Sequence, residues 1–321
     1  MKHKKKLAAV VIAVLTILLN VYIWTSPITG ENPFLVKLGL SVVLSALGLV
    51  CIWQMESLFR IPLSIVKDRV MFWELVKNDF QARFAGSYLG LFWAFFQPVI
   101  TIALYWFVFQ VGLKSGDMSS HPFILYLMCG LVPWFYFSES WGGATGSLVE
   151  YNYLVKKVVF NVEFLPALKV FSALFVHLFF VAVIAVMSLC YGYALDLYML
   201  QILYYILCTG VLVLGLSYIT AALNVFFRDM TQIINIVLTV GVWLTPIMWN
   251  PEVTMGRVIH TIFKFNPVYY IVDGFRDALL DKMWFWEKPV WTIAFWCVTV
   301  AIYLIGAKMF NRLKVHFSDV L

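Results

Sequence analysis

Long apolar runs dominate the chain, broken by short clusters of charged or turn-forming residues. A hydrocarbon core about 30 Å thick takes about 20 apolar residues in helical form, so runs of that length predict membrane-spanning helices. Eight meet the requirement: Leu7–Trp24, Leu38–Met55, Leu89–Leu113, Pro122–Trp141, Leu165–Tyr191, Leu197–Phe227, Ile233–Trp249 and Val290–Phe310. The fifth and sixth are long enough to tilt or to project beyond the bilayer. Orientation follows from Lys and Arg. With MKHKKK in the cytosol, Arg60, Lys67, Arg69, Lys77, Arg83, Lys156, Lys157, Arg228, Arg312 and Lys314 share that side, which puts both termini there. The first run has the charged start of a signal peptide, but SPITGENP follows it in place of a small-x-small cleavage site, so a retained anchor helix is expected.

Two long stretches do not fit the spanning pattern. Between Ser57 and Ser87, the segment MFWELVKNDFQARF places Phe72, Trp73, Val76, Phe80 and Phe84 on one helical face and Glu74, Lys77, Asn78 and Gln81 on the other. That predicts an amphipathic helix in the membrane surface, serving either as an anchor or as a platform for a cytosolic partner. The second stretch, Asn250 to Lys288, lies on the outer side. It is too polar to span and too apolar for a free loop, which predicts short helices dipping into the outer leaflet. Asn266 and Pro267 would start the second of these, and Asp273, Arg276 and Asp277 would pair within it.

Composition sharpens the class. With 63% apolar and 12% charged residues, the chain departs from soluble domains, where about 45–50% and about 25% are usual. The net charge of +6 is scattered between apolar runs and forms no basic stripe, so it reports topology and not nucleic-acid binding. Cys51, Cys129, Cys190, Cys208 and Cys297 are widely spaced within apolar runs and read as small hydrophobes.

Several chemistries are missing from the sequence. No Gly-Lys dipeptide occurs, so there is no Walker A loop; the five histidines are isolated, His177 within a span being read as a packing residue. TVGVW at Thr239–Trp243 lacks the ending of a carbonyl-lined ion filter. Charge at mid-membrane depth is sparse, with only Glu139, Lys37, Lys169 and Asp196 near the spans, which disfavours coupling to an ion gradient. Aromatic residues, by contrast, make up 18% of the chain. Most belong to interfacial belts and helix packing, but a subset facing an interior path would suit weak stacking on sugar rings. Trp93, Tyr105, Trp106, Trp134, Tyr136 and Trp141 are the candidates.

The run NDFQARFAGSYLGLFWAFFQPVITIALYWFVF resembles the start of the core in ABC-2 type permeases that export polysaccharides and teichoic acids. PFILYLMCGLVPWFYFSES, LVKKVVFNVEFLPAL, LNVFFRDMTQIINIVLTVGVWLTPIMW and FNPVYYIVDGFRDALL agree in order and spacing, as does the ending RLKVHFSDVL. The resemblance covers about Met71 to Leu321. It implies an all-α polytopic membrane protein with a six-helix core and two extra N-terminal spans, about eight in all. The domains would be a hairpin at 1–56, a cytoplasmic linker and interface helix at 57–88, and a core at 89–321 with outer re-entrant helices near 253–285.

The resemblance further implies a permease subunit without catalytic, metal or cofactor residues of its own. It would pair with itself and with two copies of a cytosolic ATPase that binds MgATP, and move a lipid-linked glycan across the bacterial cytoplasmic membrane. Phe72, Val76, Phe80, Arg83, Phe84, Tyr151, Lys156, Lys157 and Phe160 are expected to couple to the ATPase, the basic ones among them equally readable as topology-setting charge. Asn266, Pro267, Tyr269, Tyr270, Asp273 and Arg276 belong to the expected outer helices. The channel is expected between two copies, lined by the spans that begin at Leu89, Pro122 and Ile233. The alternative is an integral membrane glycosyltransferase or acyltransferase acting on lipid-linked glycans. Such an enzyme needs acidic residues or histidine at its reaction centre, and the first outer loop offers Glu31 alone.

Overall fold

A computed structural model describes residues 2–26, 33–83, 86, 88–114, 121–156, 160–249 and 261–321. These are mostly helical, with no strand among the described residues. The helices are α1 (Lys2–Thr25), α2 (Pro33–Trp53), α3 (Met55–Lys67), α4 (Arg69–Ala82), α5 (Phe92–Trp106), α6 (Phe123–Glu150), α7 (Asn152–Val155), α8 (Phe164–Cys190), α9 (Gln201–Phe226), α10 (Met230–Leu244), α11 (Pro267–Arg276), α12 (Pro289–Leu313) and α13 (Phe317–Val320). Six segments are long and apolar enough to cross a bilayer: α2, α5 with its continuation to Gly112, α6, α8, α9 with the turn before it, and α12 with its extension to Val320. This is an all-α polytopic membrane protein.

The centre of the bundle is α6, packed between α8 and α9 and closed at one end by α11. Helix α12 lies along α9, and the α1–α2 hairpin rests on α12. Close approach of α9 and α12 depends on two glycines: a Cβ at Gly306 would stand 2.4 Å from the Gly215 carbonyl oxygen, and one at Gly215 only 2.8 Å from the Tyr303 nitrogen. Small residues at such crossings let backbones meet where lipid offers no hydrophobic drive for association. Helices α5 and α10 stay on the outside. Each buries a single residue, Ile102 and Ile234.

Three elements differ from the sequence expectation. The fourth run does not stop at Trp141; α6 continues through Gly142, Gly143, Ala144 and Gly146 to Glu150, and within this extension Thr145 bonds Thr220 on α9 at 2.7 Å. The seventh run does not reach Trp249. Helix α10 ends at Leu244, and Thr245 is extended at φ −86°, ψ 127°, the conformation a following proline imposes. At 15 residues α10 is about 22 Å long, short of the hydrocarbon thickness. The stretch from 57 to 87 holds two helices, not one, broken at Asp68; the first, α3, turns Leu58, Ile61 and Ile65 toward the core.

Candidate functional site

The described charges gather at the ends of the bundle. At the end where α4 packs, a polar joint fastens that helix to the core. Helix α4 turns Phe72 and Val76 inward against α8, with the Phe72 ring 5.6 Å from Phe164 and 5.3 Å from Phe171. One turn on, the same face buries Asp79, with 1% of its side chain exposed. Asp79 meets the Lys169 ammonium at 2.7 Å and the Arg83 guanidinium at 3.2 Å, and accepts a hydrogen bond from the Tyr151 hydroxyl at 2.7 Å. Lys169 also contacts Glu150 at 2.8 Å, and Arg83 pairs with Glu139. Burial acts to raise the Asp79 carboxyl, but the Lys169 ammonium, reinforced by Arg83, outweighs it and holds the group below the usual carboxylate range.

A second knot lies beside it. Glu163, buried at the start of α8, receives Lys314 at 2.6 Å and Arg60 at 3.4 Å, while its backbone carbonyl accepts from the Tyr218 hydroxyl at 3.0 Å. Helix α3, the head of α8 and the C-terminal segment are thus joined through one carboxylate.

This geometry sorts the expected coupling residues. Phe72 and Val76 are enclosed by α8 and cannot touch a partner directly, contrary to the expectation. Helical phase explains it: Asp79, not Trp73, shares their face, and Trp73 is exposed beside Glu74 and Lys77. Phe80 stacks near Phe175 at 5.1 Å, and Phe160 near Phe164 at 6.3 Å. Arg83 and Tyr151 are members of the joint, and Lys156 is exposed. Phe84 and Lys157 lie outside the described residues. Asp79, Glu150 and Glu163 were absent from the expected set. Asp79 and Arg83, four residues apart on one helical face, are the available signal for the joint.

The six aromatic candidates divide in two. Trp134, Tyr136 and Trp141 are buried within the chain: Tyr136 stacks on His177 at 4.6 Å, and Trp134 and Trp141 border a cavity of about 220 Å³ between α6, α9, α10 and α11. All three are enclosed on α6, while Ser138 and Glu139 of the same helix reach the cavity beside Trp93. Trp93, Tyr105 and Trp106 sit on α5, with Tyr105 6.3 Å from Trp243 on α10. Trp93 edges a cavity of about 460 Å³ whose other walls include Gln97, Thr101, Ser138 and Glu139. The cavity thus sets an aromatic side chain beside amide, hydroxyl and carboxylate groups.

At the opposite end Asn266 caps α11, accepting from the Val268 N–H at 3.0 Å, and Pro267 takes the first helical position, as expected. The charges of α11 do not pair within the helix. Asp273 and Asp277 both reach Lys288, at 2.9 and 2.6 Å. Arg276 instead turns into the bundle, donates to the carbonyls of Pro246 and Ile247 at 2.9 Å each, and covers the Tyr126 ring at 3.6 Å. It thereby satisfies carbonyls freed where α10 breaks. Tyr269 is buried, and the Tyr270 hydroxyl meets Thr292 at 2.9 Å. Residues 250–260, part of the expected outer helices, lie outside the described ones.

A bundle of long apolar helices, with an interfacial helix locked to it by buried ion pairs and a mixed aromatic-polar cavity beside the joint, is the framework of a membrane transport subunit. The chain belongs to the ABC-2 type transporter family, whose model matches residues 70–280. It is similar to the O-antigen export system permease protein RfbA of Myxococcus xanthus, 24% identical over 263 residues, covering 82% of this chain and 99% of that protein. The O-antigen export system permease protein RfbA of Klebsiella pneumoniae is 23% identical over 248 residues, covering 77% of this chain and 93% of that protein. The chain is therefore a permease of an ABC exporter, a transporter subunit rather than an enzyme.

Proposed function

We propose that this permease moves a lipid-linked polysaccharide, of the O-antigen, capsule or teichoic acid type, across a bacterial cytoplasmic membrane, driven by two copies of a separate ATPase that carries MgATP. The observation that carries the reading is the buried Asp79–Lys169 pair, which makes α4 part of the core and not a loose anchor. A push on the exposed Trp73, Glu74 and Lys77 face is then transmitted to α6 and α8 through Asp79, Arg83 and Tyr151. Lys156 and the neighbouring Lys157 supply a second, basic contact. Both termini lie on the ATPase side in this arrangement, and the hairpin at 1–56 is an addition to a core at 89–321.

Two copies meet along the open faces of α5 and α10, with the glycan passing between them. It is received at the Trp93 cavity and leaves past the outer helices at Asn266–Arg276. Similarity to O-antigen export permeases supports the substrate class. The test is reconstitution in vesicles with and without the ATPase, following protection of a lipid-linked glycan from an external glycan-modifying enzyme. Movement that requires both ATPase and ATP is the expected result. Equal movement by the permease alone, or covalent change of the glycan, overturns the reading.

A further inference from the structure

A groove of about 900 Å³ runs between α2 and α12, at the upper end of the about 300–1,000 Å³ typical of small-molecule sites. Neither wall falls within residues 70–280, the part of the chain that matches the family. Ala46 and Val50 on α2 face Ala301 and Ile305 on α12, and the middle of the groove is wholly apolar. One end differs. There Gln54, Lys308 and Arg312 line the groove together, and no carboxylate lines it among the described residues. Lys308 and Arg312 are one helical turn apart and exposed. The Lys308 ammonium lies 5.8 Å from the centre of the Trp53 ring, an aromatic of the type enriched at membrane interfaces. The Gln54 Oε1 is buried, with no hydrogen-bond donor among the described residues.

Length selects the occupant. From Val42 to Gln54 the groove follows α2 for about 18 Å, while one leaflet of hydrocarbon is about 15 Å deep and its head-group layer a few Å more. Two cations without a carboxylate in the groove call for an anionic phosphate, and the orphaned Gln54 oxygen calls for a hydroxyl donor beside it. We propose that the groove is a binding site for one anionic glycerophospholipid with a hydroxyl-bearing head group, phosphatidylglycerol. Its phosphate rests on Lys308 and Arg312, its head-group hydroxyl donates to Gln54, and an acyl chain lies along Ala46, Val50 and Ala301. The hairpin then serves as one wall of a lipid site whose other wall is the last span.

The test is native mass spectrometry of the full-length protein in mild detergent, offered phosphatidylglycerol, phosphatidylethanolamine or phosphatidylcholine. Retention of one phosphatidylglycerol, preferred over phosphatidylcholine by about tenfold, is expected. Lys308→Gln with Arg312→Gln, both exposed and so tolerable to the fold, should reduce phosphatidylglycerol to the phosphatidylcholine level. Ala46→Phe should reduce all three lipids. Equal retention of the lipids by the unaltered protein, or an undiminished preference in the Lys308/Arg312 variant, overturns the site. Displacement of phosphatidylglycerol by a polyprenyl monophosphate assigns the groove to an isoprenoid carrier and overturns the phospholipid assignment.

Discussion

Lys169 and Asp79 form a buried ion pair, with Glu150 and Arg83 as their further partners. Removing one partner of a buried pair leaves an uncompensated charge, at a cost of about 3–5 kcal/mol. Lys169→Met should lower the thermal unfolding midpoint in detergent sharply, and Asp79→Asn added to it should recover part of the loss; a double-mutant cycle measures the coupling. The outer carboxylates show the opposite electrostatics. Asp273 and Asp277 share one ammonium, Lys288, and burial together with the Asp273 charge pushes Asp277 up to about 7. Its folded value thus lies above the unfolded one of about 3.9, so the folded state holds the extra proton between them and stability declines as pH rises through that window. Melting followed from about pH 5 to about pH 8 should show the midpoint falling, with Asp277→Asn flattening the slope.

At the scale of elements, the crossing of α9 and α12 sets the sharpest steric limit. A side chain at Gly306 meets backbone, which cannot rotate away, so Gly306→Val should cost at least the about 1–3 kcal/mol of an overpacked core. Gly39→Ala, whose added carbon has nothing within 4 Å, should be neutral; limited proteolysis or melting distinguishes the two. The elements also show what the sequence makes legible. Apolar runs marked the long helices, and Asn266–Pro267 marked the start of α11, because hydrophobic length and capping are local properties. The extension of α6 past Trp141 was hidden because its partner there, Thr220 on α9, lies 75 residues from Thr145 in sequence. Helix α3 was hidden by Pro62, and the burial of Asp79 beside Phe72 and Val76 was hidden because its partner Lys169 lies 90 residues away. The partners of Asp273 and Arg276 were likewise distant in sequence, and no pattern within α11 discloses Lys288 or Pro246.

For the whole molecule, enclosure of α6 and openness of α5 and α10 give the proposed dimer a definite seam. Val240→Cys, in a Cys190→Ser background that removes the exposed native thiol, should cross-link two copies in membranes under mild oxidant, whereas a cysteine at Val186 on exposed α8 should not. The reverse pattern places the seam elsewhere and separates this geometry from the choice of substrate. The shortness of α10 adds a thermodynamic bias to that seam. A helix about 22 Å long falls some 8 Å short of the surrounding hydrocarbon, and the bilayer must thin to meet it at a cost of fractions of a kcal/mol per Å. Side by side, two such helices shelter one another from the mismatch, so self-association should tighten as acyl chains lengthen, and membrane thickness becomes a control on assembly.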